Sequence, residues 1–166
     1  DRGGPVEREV EDERQQQRAL FRRERQILAS LNHRNIARLI DGGVSGGMPY
    51  LVMEYVPGCN LEEFMTAARP SLASVVTVGA DIAGALALAR QQHIVHGDVK
   101  AGNVLITESG RAKLTDFGIS RTSDAGAPLQ WAAGSFSALS PEQFLGQPLD
   151  ERADLFALGS LLYRML

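Results

Sequence analysis

Leu20, Ile27, Leu28 and Leu31 recur at helical spacing, with Arg22, Arg23, Glu24 and Arg25 between them. The pattern predicts an amphipathic helix from Ala19 to about Asn32 with one apolar face. Before it, residues 1–18 hold only Val6 and Val10 as aliphatic side chains and read as a polar tail or exposed helix. Two strand-like runs follow, Ile36–Ile40 and Tyr50–Tyr55, separated by the loop-like Asp41–Gly47. The glycines of that loop fit neither G-x-G-x-x-G nor G-x-x-x-x-G-K-[ST], and no helix pattern opens after them, so a plain turn is expected. Pro57-Gly58 breaks the chain, after which Leu61–Met65 and Leu72–Gln92 read as helices. The second carries Val75, Val78, Ile82, Leu86 and Ala89 along one stripe. Val104–Ile106 and Ala112–Leu114 look like paired strands around Glu108-Ser109-Gly110. A long polar segment, Asp116–Leu139, and a final helix, Leu155–Leu166, complete the chain, and no internal repeat is visible.

Composition narrows the class. With 166 residues, 44% hydrophobic and 22% charged, the chain can bury one ordinary core in one or two lobes, which excludes coiled coil and disorder. A formal charge of -3 gives no general reason to expect nucleic acid or an anionic membrane as partner. The single cysteine, Cys59, can form neither an internal disulfide nor a multi-cysteine metal site, so a reducing, cytoplasmic setting is expected. Ser71–Ala89 is the most apolar stretch, yet Asp81 and hydroxyl residues interrupt it, and no membrane-spanning segment is expected. Asp at position 1 and an end inside an apolar run suggest a fragment.

Candidate chemistry gathers in His96-Gly97-Asp98-Val99-Lys100-Ala101-Gly102-Asn103, a loop between the long helix and the strand pair. A turn centred between Ser109 and Gly110 faces Asn103, just before the first strand, to Asp116, just after the second. Two oxygen-bearing side chains then converge, and such oxygens suit Mg²⁺ held jointly with substrate phosphates. Asp98 offers a carboxylate that can accept a proton, and Lys100 a compact cation that can neutralise a transferring phosphoryl group.

On these residues the chain resembles the eukaryotic-type protein kinase family, most closely its bacterial serine/threonine branch. HGDVKAGN is similar to the loop H-R-D-x-K-x-x-N with Gly for Arg, Asp116-Phe117-Gly118 to D-F-G, and Ser140-Pro141-Glu142 stands where A-P-E belongs. The likeness covers about Ala19 to Leu166. It implies an α+β, protein-kinase-like two-lobe fold, incomplete at both ends: a partial N-lobe and hinge over residues 19–55, and a partial, mainly helical C-lobe over 56–166. It implies Asp98 as catalytic base, Lys100 on the γ-phosphate of ATP, and Asn103 and Asp116 as Mg²⁺ ligands. Glu54, Val56, Asn60, Leu105 and the αC-like Glu24 are implied on the nucleotide side, with Met53 as gatekeeper. Asp154 resembles the aspartate that braces the catalytic loop, and His96 is expected to pack on Phe117. The implied partner is a protein with a Ser or Thr acceptor, not nucleic acid.

Departures from the family pattern qualify the reading. No glycine-rich strand pair and no V-A-I-K lysine stand in this chain, whose only lysines are Lys100 and Lys113, so poor ATP binding or none is expected of it. Gly97 replaces an arginine that usually pairs with a phosphate on the activation segment, so order there is expected not to depend on phosphorylation. Glu142 would lack the arginine usually supplied by later helices, and one face of the last helix would stay exposed. Ser135 stands at the substrate-positioning hydroxyl, and Ser120–Ser123 read as phosphorylation sites or a polar loop. The H-G-D triplet also fits small-molecule kinases of the aminoglycoside and choline type, and the missing lysine fits a pseudokinase acting as a binding module.

Overall fold

The computed structural model describes residues 21–22, 25–117, 121–122 and 139–166. Helix α1, over residues 25–30, buries Leu28 and hands the chain on to the equally buried Leu31, as its spacing predicts. Strands β1 (Leu39–Ser45) and β2 (Met48–Met53) form an antiparallel hairpin. The expected loop over Asp41–Gly47 is therefore shorter than the sequence suggests: Gly42 pairs with Leu51 and Gly43 with Tyr50, and only Gly46-Gly47 turn. Both turn residues have positive φ, 58° and 83°, the requirement of a tight two-residue hairpin turn. Glycines erase the alternation that marks a strand, although their backbones pair like any other.

A second, three-stranded antiparallel sheet has the order β3 (Gly58–Asn60), β5 (Val104–Thr107), β6 (Ala112–Leu114). A two-residue pair, β4 (Ile94–Val95) with β7 (Arg121–Thr122), stands beside it. Strands this short carry no readable pattern, and tertiary pairing creates them. Helix α2 (Leu61–Ala67) starts from a reciprocal cap between Asn60 and Glu63, and α3 (Leu72–Gln91) starts from Ser71. Short α4 (Pro141–Phe144) and long α5 (Glu151–Met165) complete the helices among the described residues. Helix α5 begins four residues before the predicted Leu155, because Asp150 caps it and Glu151–Asp154 are too polar for apolar periodicity to register.

The core lies where α3, α5 and the β5–β6 hairpin meet: Val75, Val78, Ile82, Leu86 and Ala89 pack with Leu158, Leu161, Met165, Val104, Ile106 and Leu114. Helix α3, at 20 residues and with a mean hydropathy of 1.9 over its most apolar 18-residue window, is long and apolar enough to cross a membrane by length and composition alone. Here its stripe is core and Asp81 in its middle is buried, accepting hydrogen bonds from Arg111 Nε at 2.9 Å and from the Ala112 N–H at 2.9 Å.

Candidate active site

The polar loop is built on β5 and β6. Their turn is centred on Ser109, with the Gly110 N–H donating to the Thr107 carbonyl at 2.8 Å, and it pairs Val104 with Leu114 and Leu105 with Lys113. Continued by one step, the register sets Asn103 against Thr115, whose N–H donates to the Asn103 carbonyl at 2.9 Å. The expectation of Asn103 facing Asp116 was thus one residue out of step, because the loop holds three residues rather than two. Asp116 is the next residue along, still at the open end of the hairpin, and takes a left-handed φ of 60° with its side chain exposed. A non-glycine residue in that region stores local strain of about 1–3 kcal/mol, a cost more often met at working sites than elsewhere.

Three of the four candidate residues share direct bonds. Lys100 Nζ lies 2.6 Å from Asp98 Oδ2, and Asn103 Nδ2 donates to the same oxygen at 3.0 Å and to the Asp98 carbonyl at 2.9 Å. A one-turn 3₁₀ helix, Ala101–Asn103, brings Asn103 back over Asp98. Oδ1 of Asp98 is the carboxylate oxygen that these bonds leave to an incoming proton, and the amide oxygen of Asn103 is the atom left to a cation.

His96 ties the two acidic positions together. Its Nε2–H donates to the Thr115 carbonyl at 2.9 Å, and its Nδ1 accepts the Asp98 N–H at 3.2 Å. One fully buried imidazole therefore fixes the peptide just before Asp116 and the amide of Asp98. Both bonds are met by the neutral ring, and burial pushes its pKa below the ordinary histidine value, against the opposing pull of Asp154, the Thr115 carbonyl, Asp98 and Asp116. The ring stacks edge-on against Phe117 with centroids 4.5 Å apart, as the resemblance implies, but the bridging role was not legible in sequence.

Asp154, on the first turn of α5, accepts the His96 N–H through Oδ2 and the Gly97 N–H through Oδ1, both at 2.8 Å. The brace suggested by resemblance is present, across more than fifty residues of chain. Burial raises the pKa of Asp154, and the two backbone N–H groups and His96 work against that rise. Gly97 between them has φ of 77°, a conformation that suits glycine and strains any other residue. Leu149, the nearest atom to a side chain built there, is 4.0 Å away, so backbone conformation rather than space favours glycine.

On the other side of the sheet, cross-strand pairing sets Asn60, Leu105 and Lys113 in a row on one face. Lys113 Nζ pairs with Glu54, which follows β2, while the Glu54 N–H donates to the Arg38 carbonyl at 2.8 Å. Val56 is half-buried just after it. Lys113, a residue that sequence reasoning did not single out, thus stands between Glu54, its ion-pair partner, and Leu105, its cross-strand neighbour, with Asn60 one strand further on. The Asn60 side chain is occupied by the Glu63 N–H in the cap of α2. Glu24, Gly118, Ser120, Ser123 and Ser135 lie outside the described residues, as do the side chains of Arg121 and Thr122. Met53 is half-buried at the end of β2.

A model of the protein kinase domain family matches residues 6–166. The chain belongs to the protein kinase family. It is similar to a probable serine/threonine-protein kinase of Streptomyces coelicolor, 41% identical over 159 residues, covering 89% of this chain and 23% of that protein. Serine/threonine-protein kinase PknB of Mycobacterium leprae is 39% identical over 154 residues, covering 88% and 25%. Serine/threonine-protein kinase PrkC of Bacillus subtilis is 40% identical over 149 residues, covering 88% and 23%. The chain spans about a quarter of the length of these relatives. Protein kinases in general use ATP and Mg²⁺. The donor set here suits that ion: one exposed carboxylate and one amide oxygen at the hairpin end are hard ligands that leave room for phosphate and water. Among the described residues no group of three or more His, Cys, Asp or Glu could hold a metal by itself.

Proposed function

We propose that this chain is part of a catalytic domain that transfers the γ-phosphoryl group of Mg-ATP to a Ser or Thr hydroxyl of a protein, the chain by itself acting weakly. The observation that carries the reading is the shared bonding of Asp98, Lys100 and Asn103 beside the strained Asp116. Mg-ATP, when bound, supplies the transferable group and a metal that offsets its charge. Asp98 accepts the hydroxyl proton on Oδ1 while Lys100 and Asn103 hold Oδ2, which keeps the carboxylate aimed. Lys100 also presents positive charge where the transferred group carries negative charge. Asn103 and Asp116 hold the metal. Glu54, Val56, Leu105 and the Asn60 backbone form the nucleotide side, and Glu24 is placed there by resemblance. A lysine at position 100, together with the S-P-E triplet, favours a protein acceptor over a small alcohol.

Incubation with Mg-ATP and a generic protein substrate, beside aminoglycosides, tests the reading. Label on Ser or Thr of the protein, lost in Asp98→Asn, supports it. Label on the aminoglycoside alone establishes the small-molecule reading. Nucleotide binding without transfer to either establishes the binding-module reading.

A further inference from the structure

Gln143 is buried in the first turn of α4, and both ends of its amide are committed. Its Oε1 accepts the Ser140 N–H at 3.0 Å, and its Nε2 donates to the Gly97 carbonyl at 2.8 Å. Because one partner can only donate and the other can only accept, the orientation of the amide is determined. The Gly97 carbonyl belongs to the peptide that leads into Asp98. That peptide is therefore gripped on both sides, its oxygen by Gln143 and its N–H by His96 Nδ1 at 3.2 Å. One residue earlier, the Gly97 N–H is held by Asp154 at 2.8 Å. Among the described residues the other holds on these two successive peptides come from the loop itself or from α5, and Gln143 is the one that comes from the segment after residues 123–138.

We propose that Gln143 is a positioning residue for the phosphoryl transfer proposed above, holding the Gly97–Asp98 peptide so that the Asp98 carboxylate faces the acceptor hydroxyl. The inference rests on that reading for its catalytic consequence, but its structural half stands apart from it. The neutral amide joins α4 to the catalytic loop with no charge on either partner, where the family's arginine would need a phosphate. Docking of α4 and orientation of the base become one event.

Gln143→Glu separates this hold from the cap. A carboxylate still accepts the Ser140 N–H, as Glu does at the third position of a capping box, but opposes the Gly97 carbonyl instead of donating to it. Protonation would restore a donor. With the native chain as reference, the variant should lose about 10- to 100-fold in turnover at neutral or higher pH, with KM for ATP unchanged. The ratio of variant to native turnover should rise as pH is lowered. Gln143→Met, which cannot donate at any pH, should show the loss without the rise. Amide hydrogen exchange by NMR supplies the readout that needs no turnover: in Gln143→Glu the Asp98 amide should exchange about 10-fold faster, while that of Ala112 is unchanged. A turnover ratio flat with pH, a loss confined to KM, or Asp98 exchange equal to native would overturn the proposal. Native protein that transfers no phosphate overturns the kinase reading instead, and the exchange result still decides whether Gln143 holds the peptide.

Discussion

Two antiparallel hairpins in this protein differ in almost everything but their pairing. In β5–β6 the inward side chains Val104, Ile106, Ala112 and Leu114 are 0–5% exposed, and side chains from elsewhere reach its backbone. Asp81 accepts the Ala112 N–H and Asn35 Nδ2 donates to the Ala112 carbonyl at 2.8 Å. In β1–β2, by contrast, Val44, Met48, Tyr50 and Val52 are 40–73% exposed, and one edge of contact is supplied by Arg25 on the Gly42 carbonyl. A two-stranded ribbon by itself is marginal in water, so its neighbours decide how firmly it holds a shape. Asn103 and Asp116 flank the covered hairpin, and the catalytic loop leads directly into it. The exposed hairpin contributes Glu54 at its end, which Lys113 ties back to the covered sheet. The firmer of the two ribbons is thus the one whose open end carries the candidate residues.

The contrast can be broken most sharply by activity. Asp98→Asn or Asp116→Asn should lower phosphoryl transfer on the order of 10²–10³-fold, as the loss of one preorganised group does, with the fold intact by circular dichroism. Met48→Ser on the exposed hairpin should change it less than about 2-fold, since surface changes away from special features are close to neutral. Equal losses in the two regions would remove the distinction.

Stability offers the next test. Asp81→Ala removes a buried carboxylate shared by Arg111 and the Ala112 N–H, and should cost about 2–3 kcal/mol in urea unfolding, below the range for fully buried pairs because Arg111 is half exposed. Asp154→Ala frees two backbone N–H groups behind the His96–Asn103 loop and should cost about 2–6 kcal/mol, at about 1–3 for each buried donor left unmet.

A gentler probe is pH. His96 is held neutral, with its folded pKa below the unfolded value of about 6.5, so its contribution is full above that pH and is lost as pH falls below it. Asp154, raised by burial, has the opposite sign: it favours the fold below its unfolded value of 3.8 and loses that contribution as pH rises through the folded one. Unfolding midpoints should therefore drop as pH is lowered from 7 toward 5.5. His96→Asn, which cannot titrate there, should flatten that slope. The smallest effect belongs to the ribbon again, where Val44→Thr should shift stability by no more than about 0.5 kcal/mol.

Much of the covered hairpin was legible in advance. Val104–Ile106 and Ala112–Leu114 are short apolar-rich runs on either side of a polar, glycine-bearing turn, and the apolar stripe of α3 names its own buried face. The resemblance rested on short runs whose residue types are dictated by chemistry, and it placed Asp98, Lys100 and Asn103 in one loop. The exposed ribbon read poorly because glycines hide a strand that pairs through its backbone. The one-residue slip in register came from turn length, which is decided by the left-handed Gly110 and the Thr107–Arg111 closure rather than by strand pattern.

What the chain determined by itself was local: which stretches are helical or extended, which face of each is apolar, and which loop carries oxygen and nitrogen groups fit for phosphate chemistry. Only the tertiary structure decided that Asp154 and Gln143 would grip Gly97, that His96 would join Asp98 to Thr115, and that Lys113 would reach Glu54. The physical reason is that a buried N–H or C=O must be satisfied by something, and its partner is chosen by distance in space. Nothing in the spacing of residues along the chain records that choice.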